Sequence, residues 1–584
     1  MQATDQKFIG FIGATERRYV IPIFQRRYTW EIKHCEQLLK DMLAVAESSL
    51  PCHFTGSVVW VREDDPVKGP SRMLLIDGQQ RTTTLMLILI ALARFADTHE
   101  GRANSGESLN FSKDLILNTL LIHPFESGDN RFRLTLSQED KLIMNSLIQN
   151  LEDPTTPKIS DEDSRILKNF EWIKFMVDNL PNQNDLWAGF RKLQIVSVML
   201  DQYRDNPQLV FESMNSTGKS LSNSDLIRNY VLMDQSLDEQ ERLFANYWLP
   251  IENLVNSNRQ DDAFEDFIVC YIPQVYETSA PITSDIYPAF KQQNISRNLP
   301  RENLLAEMLH YATLYKDIAF PSSDNNDALS IRYRRLNSLG YMPVRVLSLA
   351  MLHANSQGRM TCRDLIEGLD LIECFIVRRA ITSYDARAYR RLFFDATQEF
   401  NKNLQDDKAD STYLLAGLKE FFYRKTAKSQ ILPDDEFVKN YLRTRGVYIN
   451  PQMLRYILGR IENSLHEKHY IDFEKGTWSI EHVMPQSALE VPQWRADLGD
   501  DAEEIFSAWI DNIGNLTLTV YNTELSNKPF LEKKVMFVGG YEHDGLAISS
   551  LIRQAECWNV KAMEKRRNEM IDLFLKVFPN LASR

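Results

Sequence analysis

The chain has 584 residues, 43% apolar and 25% charged, the make-up of an ordinary globular protein rather than a disordered one. That length exceeds what one hydrophobic core serves and predicts two to four domains. A net charge of −13 argues against a protein that coats nucleic acid non-specifically, because phosphate binding is an electrostatic term, but it leaves room for local basic channels.

Six cysteines, Cys35, Cys52, Cys270, Cys362, Cys374 and Cys557, form no C-x-x-C pair, so neither a zinc ribbon nor a disulfide framework is signalled. A reducing cytoplasm is the expected compartment. The first seven residues lack the basic head and apolar run of a secretory signal. The longest apolar run, residues 85–93, falls short of the roughly 20 residues a membrane span needs, so no span is expected.

Three segments follow from the pattern of elements, which together predict a multidomain α+β chain. Residues 1–235 mix short β-prone runs (18–24, 54–60 and 73–76) with helical stretches, and 153–164 reads as a surface loop. From 236 to 425 strand signals nearly vanish and apolar residues recur at three- and four-residue spacing, as in Leu365, Leu369, Ile372 and Ile376, which predicts a helical middle. A turn-rich break falls at 321–327, and no fixed-period repeat makes the segment a solenoid. Residues 426–584 begin with a helical lead-in containing 453–458, pass through a strand-like run at His482, and end in helical spacing over 562–578.

Chemistry concentrates in two places. In the first, the apolar run Leu74-Leu75-Ile76 leads into Asp77-Gly78-Gln79-Gln80-Arg81 and then a long apolar helix. Gly78 permits a tight turn, the following N–H groups sit at a helix N-terminus where phosphate is favoured, and Arg81 has the fork to grip phosphate bidentately. Gln25-Arg26-Arg27 between aromatics, and Asn215-Ser216-Thr217-Gly218-Lys219-Ser220 followed by Asp225 to Asn229, are two further conspicuous strings. The latter superficially resembles a Walker A loop but lacks its glycine spacing and the long apolar strand before it, so a P-loop is rejected; a polar turn and a helix capped by Ser222 or Ser224 is the plain expectation.

In the second place, Ser479-Ile480-Glu481-His482-Val483-Met484-Pro485-Gln486 is followed by Asn512-Ile513-Gly514-Asn515-Leu516-Thr517-Leu518, Asn522 and Asn527-Lys528. A nuclease needs a base to deprotonate water and a cation to stabilise charge developing on phosphate. His482 is the candidate base, and Asn522 offers an amide oxygen to a hard cation such as Mg²⁺. Glu481 points to the opposite strand face, so its service as a ligand requires a twist or bulge.

The three N-terminal strings, in this order, resemble the N-terminal domain of GmrSD-type modification-dependent (type IV) restriction endonucleases, and the C-terminal strings, with Lys533, resemble the same family's His-Me-finger (HNH) nuclease domain. The resemblance implies a ParB-like nucleotide-handling domain in 1–235 and a ββα-metal nuclease in 426–584, joined by the helical 236–425. By it, Gln25, Arg26, Asp77, Gly78, Gln79, Gln80, Arg81, Asn215, Ser216, Thr217, Gly218 and Lys219 line a nucleoside triphosphate site. His482 is the base, Asn515 fixes the hairpin, Glu481 is a ligand, and Asn522 or Asn527 completes the metal site. The implied activity is nucleotide-stimulated, divalent-metal-dependent cleavage of double-stranded modified foreign DNA, for example with altered cytosines, by an NTP-hydrolysing homodimer. A sensor of backbone phosphorothioate coupled to a nicking nuclease is the alternative of a different class, and a helical scaffold retaining remnant motifs is the third.

Arg332 to Arg335, Arg378-Arg379 and the run Tyr384 to Arg391 are candidate DNA contacts, weighed against solvated helix faces paired with the abundant carboxylates.

Overall fold

In the computed structural model, residues 1–583 are described apart from 64–68, 157, 158, 160, 162, 202–204, 206, 207, 211, 213–220, 257–262, 277–284, 323–326, 467–470, 474 and 475. The chain forms two compact units, one of Met1–Pro250 with Asn294–Leu305, the other of Ile251–Gln293 with Ala306–Arg584.

The first unit is organised on a six-stranded mixed sheet whose strands are β1 (Gln2–Lys7), β2 (Arg17–Val20), β3 (His53–Arg62), β4 (Ser71–Asp77), β5 (Leu134–Thr135) and β6 (Leu193–Leu200), in the order β1-β6-β3-β4-β2-β5. The β-prone runs expected at 54–60 and 73–76 lie within β3 and β4. The run expected at 18–24 is a strand only to Val20, two residues before Pro22, whose missing N–H cannot serve a ladder. β4 pairs antiparallel with β3 and parallel with β2, so its C-terminal end opens directly into the helix α1 (Gln79–Thr98).

α1 is buried around nearly its whole circumference, from Gln79 to Ala96. Its run of threonines and aliphatics lacks the polar stripe of a surface helix, which is what makes it a central element. The helices Ile32–Glu47 and Gln183–Lys192 pack closely, and Gly189 allows it: a Cβ there would lie 2.0 Å from the Met42 carbonyl oxygen. Among the described residues of 153–164, Ser164 caps the helix Arg165–Asp178 by accepting from the Leu167 amide.

The second unit is helical, with one two-stranded sheet. Between 236 and 425 no strand occurs among the described residues, as the spacing predicts, and Leu365, Leu369, Ile372 and Ile376 share the buried face of the helix Cys362–Ile381. The helix Pro451–Ser464 packs against the antiparallel pair β7 (Ser479–His482) and β8 (Leu516–Thr519), and short helices Asn522–Leu525 and Phe530–Val535 follow. The last helix, Val560–Val577, packs across the turn at Ile513–Asn515. Among the described residues no helix is long and apolar enough to cross a membrane.

Candidate active site

At the end of β4 the chain reverses through Gly78, which has φ +87° and caps α1 in the left-handed region. A Cβ there would lie 3.0 Å from the Ser57 carbonyl oxygen, so glycine is required by both conformation and space. The segment from Ile21 to Trp30 is then stapled over the first turn of α1. Gln25 is fully buried and donates Nε2 to the Ile76 carbonyl at 3.1 Å. The Gln80 Oε1 accepts from the amides of Thr29 (2.8 Å) and Trp30 (3.3 Å), while its Nε2 donates to the Arg27 carbonyl at 3.1 Å. Tyr28 closes the arrangement, its hydroxyl 2.6 Å from Thr84 Oγ1 and accepting from Asn169 Nδ2 at 3.1 Å.

The sequence motif thus divides by role. Gln25 and Gln80 hold the backbone together. Gln79, by contrast, keeps a buried Oε1 without a partner, and Arg26 a buried Nε in the same condition. Arg81 lies against Gly56 and donates Nη1 to the Ser57 carbonyl at 3.2 Å. Burial lowers the pKa of its guanidinium, and Asp77 opposes that shift. Asp77, Gly78, Gln79, Gln80, Arg81, Gln25 and Arg26 therefore gather at one end of the sheet. Asn215, Ser216, Thr217, Gly218 and Lys219 lie outside the described residues.

Ser222, not Ser224, caps the helix Asn223–Leu232 by accepting from the Asp225 amide. That helix brings in a residue that spacing did not single out: buried Arg228 donates Nε to the Phe24 carbonyl at 2.9 Å and Nη2 to Asp225 at 2.7 Å. The i, i+3 pairing with Asp225 was its legible signal.

In the second unit, β7 turns Glu481 and His482 to opposite faces. Glu481 is buried and its Oε1 accepts from Lys533 Nζ at 2.6 Å and from the Tyr541 hydroxyl at 3.0 Å. Lys533, with no exposed surface, also donates to the carbonyls of His482 (3.1 Å) and Val483 (3.3 Å). Burial pushes the Glu481 carboxyl up and the Lys533 ammonium down, each shift opposed by the partner's charge.

On the other face, His482 Nε2 is 3.1 Å from Asp511 Oδ1, and the Tyr448 ring stands edge-on at 4.7 Å. Burial lowers the imidazole pKa, and the Asp511 hydrogen bond and charge only partly offset it. A neutral, oriented imidazole results, the state a general base requires near neutral pH. Asp511 is held in turn by the Val447 amide, which donates to its carbonyl at 2.8 Å, and its side chain is 44% exposed. Asp511 and Tyr448 escaped the sequence reading because neither lies within a motif string.

Asn515 is fully buried and its amide is engaged on every side. Oδ1 accepts from the Met484 amide (2.8 Å) and Trp558 Nε1 (3.0 Å), and Nδ2 donates to the carbonyls of Met484 and Ile510, both at 3.0 Å. The geometry gives it the positioning role of locking the loop after β7 to the turn before β8. Gly514 makes room, since a Cβ would lie 2.6 Å from the Met563 carbonyl, and buried Arg566 donates to the carbonyls of Ile513, Gly514 and Leu516.

Asn522 and Asn527 are exposed, at and just beyond the short helix Asn522–Leu525. Among the described residues no three His, Cys, Asp or Glu side chains converge, and the ammonium of Lys533 already occupies the Glu481 oxygen. In this arrangement the donor set does not fit a divalent cation at Glu481.

Two of the candidate DNA contacts are corrected. Arg378 and Arg379 are fully buried and donate to main-chain carbonyls, Arg378 to Pro433 and Phe578, Arg379 to Ile431, Ser429 and Asp385. Arg379 also lies over the rings of Tyr384 (5.0 Å) and Tyr389 (5.7 Å), so these faces are covered rather than open to bases.

No curated protein matches the chain. The family model described as the GmrSD restriction endonuclease N-terminal domain matches residues 8–232, and that described as the GmrSD restriction endonuclease C-terminal domain matches residues 432–573. The first match contains the whole stapled turn at Asp77–Arg81, and the second contains His482, Asp511, Asn515 and Lys533; the chain belongs to the GmrSD restriction endonuclease family.

Proposed function

We propose that the chain is a nucleotide-stimulated, divalent-metal-dependent endonuclease that cuts modified foreign DNA, such as phage DNA with altered cytosines. The observation that carries the reading is the buried, neutral His482 oriented by Asp511. With Nε2–H donated to Asp511, Nδ1 presents the lone pair. It takes a proton from water, the resulting hydroxide oxygen attacks phosphorus, and the P–O bond to the leaving sugar oxygen breaks. Asp511 then faces the imidazolium that forms and stabilises it.

A divalent cation such as Mg²⁺ would stabilise charge on the phosphate. Glu481, Asn522 and Asn527 are its expected ligands, and Lys533 must give way for Glu481 to serve. The order β7, β8 and helix supports a ββα nuclease within 426–584. The segment 1–235 is proposed as the ParB-like triphosphate-binding and hydrolysing domain, where the unpartnered Gln79 Oε1 and Arg26 Nε are the polar atoms left for a ligand, and 236–425 as the helical connection. We place the protein in the cytoplasm, acting as a homodimer, because a double-strand break needs two cuts.

The test is cleavage of matched modified and unmodified phage DNA with Mg²⁺ and a nucleoside triphosphate. His482→Ala is expected to lower the rate by roughly 10²–10⁴-fold with the fold intact. Cleavage by that variant at the parent rate overturns the base assignment, and triphosphate hydrolysis that survives Arg81→Ala overturns the nucleotide site.

A further inference from the structure

We propose that the second unit contains a separate phosphate-binding cavity, lined by Arg334, Arg335, Arg455 and Arg460, which takes a phosphorylated ligand and lies behind the strand that bears His482. The cavity has a volume of about 410 Å³, within the range that holds small-molecule ligands. Its walls are the helices Ala328–Ser338 and Pro451–Ser464, and the segment 471–473 closes one side.

That side is built rather than incidental. Asn463 clamps Ile471 with a reciprocal pair of hydrogen bonds, Nδ2 to the Ile471 carbonyl at 2.9 Å and the Ile471 amide to Oδ1 at 2.8 Å. Phe473 then seats on the helix at Gly459, where a Cβ would lie 2.6 Å from the ring.

The charge of the lining points to an anion. Asp472 is the one carboxylate among the lining residues, and the neighbouring buried Glu373 accepts from Arg460 Nε at 2.7 Å and from Tyr456. Asp370 is engaged bidentately by Arg332, at 3.0 and 3.1 Å, so it does not neutralise the lining. Four guanidinium groups against two carboxylates leave an excess of two positive charges. In a chain of net charge −13 this is a local arrangement and not a reflection of composition. Planar guanidinium groups match the oxygens of phosphate, and a dianionic phosphate would balance the excess.

The cavity is also coupled to the cutting strand. Arg455 donates Nη1 to the Trp478 carbonyl at 3.2 Å, in the residue preceding β7, and the helix that carries Arg455 packs on both β7 and β8. A ligand that draws on Arg455 therefore acts on the backbone that positions His482.

The phosphate can come from a free nucleoside phosphate or from the DNA backbone, and hydrogen exchange on the full chain separates the two. Three probes are added in turn: inorganic pyrophosphate, a nucleoside triphosphate and a short DNA duplex. The expected result is slowed amide exchange in Pro451–Ser464 and 471–473. Protection by pyrophosphate and triphosphate identifies a free phosphate as the ligand, and protection by the duplex alone identifies the backbone. Replacing Arg334 and Arg455 together by Gln should weaken the protecting probe about tenfold or more, while Arg455→Lys should retain much of the binding. Because exchange is read peptide by peptide, the result is independent of any triphosphate bound at Asp77–Arg81. If the double variant does not fold, Arg334→Gln alone carries the comparison. Absence of protection by all three probes, or protection unchanged in a folded variant, overturns the proposal.

Discussion

Asp511→Asn tests the nuclease reading most sharply, because it keeps the shape of the site and removes one charge. At 3.1 Å from His482 Nε2, Coulomb's law gives an attraction for the imidazolium of about 5 kcal/mol at an effective dielectric of 20 and about 1.3 kcal/mol at 80. The side chain is 44% exposed, which places the interaction toward the lower figure, about 1.5–3 kcal/mol. The imidazolium forms as water is deprotonated, so losing this stabilisation should slow cleavage roughly 10- to 100-fold.

The same change alters the pH profile. Asp511 opposes the burial that lowers the His482 pKa, so its removal lowers that pKa further. The acid limb of the rate profile should move to lower pH even as the plateau falls. Single-turnover cleavage of modified DNA between about pH 5 and 8 measures both quantities. An Asp511→Asn enzyme with the parent plateau and an unmoved acid limb would refute the orientation argument.

Lys533→Met should cost about 3–5 kcal/mol in a urea melt of the second unit, because it strands the Glu481 carboxylate in a buried site with Tyr541 as its remaining partner. Adding Glu481→Gln should recover a large part of the loss, and a single variant as stable as the parent contradicts a structural ion pair. His123 supplies the pH test of stability: burial and Arg133 lower its pKa to about 4, and its Nε2 lies 3.0 Å from the Arg17 carbonyl. The unfolded chain, with an ordinary histidine near pH 6.5, binds the proton first on acidification. The stability His123 contributes is therefore present above pH 6.5 and lost as pH falls toward 4. The stability difference between the parent and His123→Gln should shrink over that window, and a constant difference rules the argument out.

Several elements were legible because a local rule decides them. Gly78 follows a β-prone run and precedes an apolar helix, and only a left-handed residue joins the two. The helical middle announces itself by periodicity, and the loop at 153–164 by its turn residues. His482, Asn515 and Lys533 stood inside recognisable strings. The strand ending at Val20 was less legible, since the β-prone run continues past the proline that stops the ladder.

Roles, as distinct from positions, were a matter of packing. Gln80 and Gln79 are neighbours of one residue type, yet one clamps the backbone from Arg27 to Trp30 and the other keeps a buried oxygen without a partner. Arg378 and Arg379 looked like a basic patch and are buried struts, because the carbonyls that hold them come from segments far along the chain. Asp511 carries no motif, and only the closure of Val447 onto its backbone brings it to His482.

The sequence alone determined family, fold class and the base, since these rest on local patterns of apolar spacing, turn residues and motif order. Tertiary structure decided which side of β7 each charge faces, that Lys533 answers Glu481, and that Asp511 answers His482. Those outcomes depend on contacts between residues remote in the chain, whose electrostatic and desolvation energies exist only once the backbone has brought them together.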